Sequence, residues 1–108
     1  MGSAKNAAIP LNLVREPNSY QEKIKSLEDL SIISSSAKRN KKKVVLAHGV
    51  FDLVHLGHVR HLETAKKEGD ILIVTITPDE FVNKGPGRPV FNANLRSEML
   101  AALQCVDW

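Results

Sequence analysis

The sequence predicts an α/β fold: a Rossmann-like parallel sheet with flanking helices, of which this chain holds only the front part. Two compact apolar runs, VVLAHGVF from Val44 and ILIVTI at Ile71–Ile76, are continuous and rich in β-branched residues, as strands buried on both faces are. Between them Leu56, Val59, Leu62 and Ala65 recur at the spacing of one helix face. Strand, helix and strand in that order form a right-handed unit whose ligand cleft lies at the carboxyl ends of the strands. The 108 residues, 43% apolar and 25% charged, suffice for one soluble domain with one core.

Residues 1–25 carry Pro10 and Pro17 without sustained periodicity and read as a loosely ordered leader. Residues 26–43 read as an amphipathic helix and a basic linker. Ser26 with Asp29 fits a capping box, and Leu27, Leu30, Ile33 and Ala37 share a face that ends near Arg39. Residues 44–108 form the α/β domain proper. Its first strand gives way at DLVHLGH to a turn with Gly57, and the helix that follows runs toward Gly69, where a stop is expected. After the second strand, TPDEFVNKGPGRPVFNAN at 77–94 holds two glycines and three prolines, a loop of functional length on the cleft side. A helix from Leu95 to Gln104 comes next, and CVDW opens a third strand. A doubly wound sheet needs more strands than these, and apolar surface left uncovered favours a homodimer or fusion to another catalytic domain.

The net charge of +3 is unevenly placed. Residues 1–43 carry nine Lys/Arg against four Asp/Glu, and residues 44–108 carry six against eight. The basic character therefore belongs to the leader, at its densest in KRNKKK, Lys38–Lys43. That run reads as a solvated helix end; a polyanion site there lacks an aromatic residue for base stacking, so nucleic acid is not an expected partner. With Cys105 the single cysteine, no internal disulfide forms and a cytoplasmic setting is expected. No apolar run approaches a membrane span, so no membrane partner is expected either.

All four histidines fall between Ala47 and Asp70: His48, His55, His58 and His61. His55 and His58 flank Gly57 at a helix start, where unpaired N–H groups and the positive end of the helix dipole draw anions. Two imidazoles there can donate to phosphate oxygens, and titration near neutral pH would let those bonds be charge-assisted. Phosphoryl or nucleotidyl transfer suits that geometry. The rival is a metal ladder, but positions three apart drift about 60° per step around a helix, and no cysteine or carboxylate beyond Asp52 completes a tetrahedral set, so no metal ligands are assigned. His61, on the helix body, reads as surface; His48 is open between packing and cleft lining.

GVFDLVHLGH resembles the G-x-F-D-x-x-H-x-G-H signature of the cytidylyltransferase-like nucleotidyltransferases, a superfamily that includes the class I aminoacyl-tRNA synthetases. The similarity runs through HVRHLETAKKEGDILIVTITPDEF to VDW; it is read over 44–108 and not before Lys43. KGPGRPV most resembles the sugar-phosphate adenylyltransferases that make ADP-heptose, with the glycerol-phosphate cytidylyltransferases close behind. The resemblance implies transfer of AMP or CMP from ATP or CTP, with Mg²⁺, to a sugar or polyol phosphate, releasing pyrophosphate. It implies that His55 and His58 are the catalytic pair at the α-phosphorus and that Arg96 lies near the reacting groups. Gly49, Val50 and Phe51 match the turn lining the nucleotide site, and Gly57 the close phosphate approach. Asp52 matches an aspartate that holds the loop or acts as a direct ligand. Lys84 and Arg88 fall where basic residues meet phosphate, with a plain surface charge the alternative for Arg88. Relatives continue to a serine/threonine-rich motif; ISSSAKR looks like it but precedes the first strand. A nucleotide-binding or regulatory module without catalysis is the alternative function.

Overall fold

A computed structural model describes residues 20–108, so the leader expectation for residues 1–19 lies outside the described residues. In chain order come a 3-10 turn at Gln21–Lys23, helix α1 (Leu27–Arg39), strand β1 (Val44–Gly49), helix α2 (Leu56–Lys66), strand β2 (Ile71–Ile76), a 3-10 turn at Asp79–Phe81 and helix α3 (Ala93–Ala101). The strands pair in parallel from Val44 opposite Ile71 to Gly49 opposite Ile76, with α2 as the crossover. Residues 105–108 form no assigned strand, yet they run beside β2: Asp107 and Trp108 N–H donate to Leu72 O at 3.0 and 3.3 Å, and Val74 N–H donates to Trp108 O at 2.9 Å. β2 is thus interior, flanked on both edges. Asp107 ties this tail down further, accepting from Leu72 N–H at 2.8 Å and pairing with Lys66.

The core gathers where α2 and α3 meet the sheet, with Phe51, Leu62, Leu72, Leu100 and Val106 at its centre and Val45, Ala47, Val74 and Ile76 packed against it. Leu62 and Leu72 are fully buried, each removing a whole side chain from water for about 1.5–3 kcal/mol. Among the described residues no helix is long and apolar enough to cross a membrane.

Several expectations need correction. The leader does not stay loose to residue 25: Gln21 Nε2 reaches Glu98 Oε1 at 3.3 Å and Lys23 Nζ reaches Leu103 O at 3.1 Å, so packing begins by Gln21. Ser26 caps α1 through Asp29 N–H at 3.1 Å, a one-sided cap, since aspartate is one methylene short of the Glu or Gln that returns the bond. β1 is not buried on both faces: Leu46 is 65% exposed and His48 is exposed, because α2 covers only the Val45 and Ala47 side. It also stops at Gly49 instead of reaching Phe51, whose φ of +52° turns the chain into the left-handed region. α2 ends at Lys66, before Gly69, and that glycine answers a close approach: a Cβ there would lie 2.8 Å from Lys43 O and 2.7 Å from Val45 Cγ2. α3 starts two residues earlier than expected because Asn92 caps it, accepting from Leu95 N–H at 2.9 Å.

Candidate phosphate-binding site

The first turn of α2 has N–H groups with no helical acceptor, and the two expected histidines supply the missing bonds. Gly57 N–H donates to His55 Nδ1 at 3.0 Å, and His55 N–H donates to His58 Nδ1 at 3.1 Å. The result is a reciprocal cap in which imidazoles take the places usually held by Ser and Glu. A ring nitrogen that accepts carries no proton, so in each neutral imidazole the hydrogen sits on Nε2. The ring centroids lie 4.0 Å apart, tilted by 37°, and with each Nδ1 taken by a backbone N–H the Nε2–H of each neutral ring is the donor left over. Burial first, then the charges of His55, Lys84 and His61, holds the His58 imidazole below its usual 6.5. Without a ligand, His58 is therefore a neutral donor near pH 7.

Gly57 is also needed for the cap itself. A Cβ on it would stand 2.8 Å from His55 Cε1, so the missing side chain makes room for the imidazole that closes the cap. Gly49 serves the same purpose at the end of β1, where a Cβ would meet Phe51 Cε2 at 2.8 Å. Phe51 is buried in the core, and its ring meets His58 edge-on at 5.5 Å. Phe51 takes the left-handed conformation, uncommon for a bulky residue, in the turn that leads to the histidines.

Arg96, expected among the reacting groups, is 0% exposed and points inward. Its Nη1 donates to Val50 O at 2.9 Å and Thr77 O at 2.8 Å, its Nε to Phe91 O at 3.0 Å, and its Nη2 to Asp79. It is a positioning residue that locks the ends of both strands to the start of α3. Asp52 is likewise spoken for: its carboxylate accepts from Val90 N–H at 2.9 Å and Phe91 N–H at 3.1 Å and pairs with Arg88 at 2.7 Å. Burial alone would raise its pKa, but the two backbone bonds and Arg88 outweigh that and leave it below the usual 3.8. Asp52 holds the loop, the first of its two expected roles. Arg88 is no plain surface charge, since its Nε is folded onto a buried carboxylate.

Lys84 is exposed, and its charge is felt at His58, so the loop brings a cation toward the pair. Left-handed glycines at Gly85 and Gly87, φ +99° and +77°, make the turn that allows this. His61 is exposed on the α2 body, as expected. His48 is exposed near the carboxyl end of β1, its Nδ1 2.7 Å from Thr75 Oγ1 and its Nε2 3.4 Å from Thr77 Oγ1. Sequence reasoning missed Thr75, Thr77 and Asp79; only the strand register and the fold of the loop bring them to His48 and Arg96. Among the described residues, no three His, Cys, Asp or Glu side chains stand together as a metal-binding group. A cleft of about 240 Å³ lies elsewhere, along the β2 edge beside Trp108, lined mostly by apolar residues including Leu27, Leu30, Val74 and Leu100. Lacking the histidines, it is no candidate for the phosphate chemistry.

The model of the cytidylyltransferase-like family matches residues 46–108. The chain is 38% identical over 104 residues to the bifunctional protein HldE of Desulfatibacillum aliphaticivorans, covering 94% of this chain and 21% of that protein. It is 46% identical over 87 residues to bifunctional protein HldE of Sulfurimonas denitrificans, covering 79% and 18%. The chain thus spans about a fifth of the curated relatives it matches. Similarity across 94% of the chain must extend before Lys43, which corrects the boundary read from the motif. Among solved structures, the lipopolysaccharide core biosynthesis protein from Thermoplasma volcanium GSS1 superposes with a TM-score of 0.57 at 38% identity, over 61% of this chain and 54% of that one.

Proposed function

The chain belongs to the cytidylyltransferase-like family, and from that premise we propose that it carries the phosphate-handling half of a nucleotidyltransferase that moves AMP or CMP onto a sugar or polyol phosphate. A phosphate oxygen of the acceptor attacks the α-phosphorus of ATP or CTP; the new O–P bond forms as the bond to the bridging oxygen breaks, and pyrophosphate leaves. No covalent intermediate with the protein is needed.

The observation that carries this reading is the pair of Nε2–H donors at the α2 N-terminus, held by backbone bonds to their Nδ1 atoms. Charge that develops on the α-phosphate oxygens meets donors already placed, together with the positive end of the helix. Lys84 adds a cation from the loop, and the Asp52–Arg88 pair and Arg96 keep that loop in position. Mg²⁺, when bound with the triphosphate, would neutralise charge on its oxygens. The relatives named bifunctional support a second catalytic domain on the same polypeptide. His55→Ala and His58→Ala in the complete protein are expected to lower pyrophosphate release about 100-fold or more. Near wild-type turnover in both would refute the assignment. Nucleotide-dependent thermal stabilisation without pyrophosphate release would favour a binding module instead.

A further inference from the structure

One histidine stands outside both the phosphate pair and the α2 surface. His48 is the penultimate residue of β1, Thr75 its register partner on β2, and Thr77 follows the end of β2 on the same face. The three side chains meet, with His48 Nδ1 2.7 Å from Thr75 Oγ1 and Nε2 3.4 Å from Thr77 Oγ1. His48 is nonetheless exposed, on a face where Leu46, two residues before it, is 65% exposed as well.

The backbone beneath this trio is fixed. Thr77 N–H donates to Gly49 O at 3.0 Å, and Thr77 O accepts from the buried Arg96. Gly49 leads directly into the Phe51 turn, whose ring touches His58, so trio and phosphate pair stand on one continuous frame at the carboxyl ends of the strands. Thr77 also begins the loop that carries Lys84. Each hydroxyl can donate once and accept twice, and a neutral imidazole donates once and accepts once, so the mutual bonds leave unused capacity on the threonines. Such a surface suits a ligand rich in hydroxyls better than a phosphate, which the donors at α2 already serve.

We propose that His48, Thr75 and Thr77 bind the hydroxyl groups of the acceptor and set which sugar or polyol phosphate is used. This rests on the nucleotidyl-transfer reading above. The test uses the complete protein with glycerol 3-phosphate and a heptose 1-phosphate as acceptors, and thermal stabilisation by ATP or CTP with Mg²⁺ as a readout free of turnover. His48→Ala and Thr75→Val are expected to raise the acceptor KM about 10-fold or more, the effect of losing one or two hydrogen bonds, while kcat and the nucleotide-induced Tm shift stay within about twofold. Unchanged KM in both variants overturns the proposal and leaves the phosphate site standing. A wild-type protein that is stabilised by nucleotide but releases no pyrophosphate with either acceptor overturns both this proposal and the nucleotidyl-transfer reading, leaving a binding module. Loss of the nucleotide-induced shift in His48→Ala also overturns the proposal, by assigning His48 to the phosphate machinery. Absence of any shift in the wild type overturns the underlying nucleotidyl-transfer reading instead.

Discussion

Replacing His58 by glutamate and by alanine separates its two roles, because one substitution restores the cap and neither restores the donor. His58→Ala removes the acceptor for His55 N–H and the edge contact with Phe51. A lost cap costs about 1 kcal/mol and a lost aromatic pair about 0.5–1 kcal/mol, so the variant should lose about 1.5–2 kcal/mol. For a domain of this size that is a Tm drop of about 6–15 °C. Glutamate at the same helical position can reach back to the His55 N–H, and its charge near the helix N-terminus adds about 0.3–1 kcal/mol. His58→Glu should therefore recover about 1 kcal/mol or more of the loss, read by urea or thermal denaturation at pH 7. The same carboxylate repels phosphate and has no N–H to give, so nucleotide-induced stabilisation should vanish in the more stable of the two variants. Glutamate no more stable than alanine would refute the capping geometry; a glutamate variant that still responds to ATP or CTP would refute the donor role.

Three further outcomes follow from the same bonds. Because the folded state holds the His58 pKa below the unfolded 6.5, its contribution to stability is present above about pH 6.5 and is lost as pH falls from there through the folded value; in His58→Glu that component of the pH–stability curve should be missing. Asp52 is also depressed, so its contribution is present above about pH 3.8 and disappears as pH falls through its folded pKa; Asp52→Asn should remove that dependence and speed hydrogen exchange at the Val90 and Phe91 amides. Gly57→Ala would by helix propensity gain up to about 1 kcal/mol, but its Cβ displaces the His55 ring, so thermal denaturation should show a net loss and a smaller nucleotide response.

The elements that sequence pattern reveals are those whose residues answer to one neighbour each. Ile71–Ile76 reads as an interior strand because every residue is apolar or β-branched, and the structure flanks it on both edges. The histidine pair is legible because Gly57 lies between His55 and His58 at a strand-to-helix turn. Arg96 is misjudged from sequence because composition cannot say which way a guanidinium points; its partners are carbonyls at Val50, Thr77 and Phe91, and carbonyls belong to every residue alike. The Arg88 pairing is hidden from sequence for a related reason, since its partner Asp52 is 36 positions away and is reached only after the loop folds back. β1 reads as covered on both faces because Leu46 is apolar, but hydrophobicity does not reveal how far the cover reaches: Ile73 is buried and its neighbour Leu46 is 65% exposed.

The placement of hydrogen on the two imidazoles bears on proton traffic. With each Nδ1 occupied by a backbone N–H and His58 held neutral, the site offers its donors before any ligand arrives. Putting a proton on His58 Nδ1 would break its bond from His55 N–H, so protonation there costs part of the cap. A proton drawn onto His58 by a docked polyphosphate should therefore appear twice, as a binding heat that varies with the buffer's ionisation enthalpy and as faster hydrogen exchange at the His55 amide.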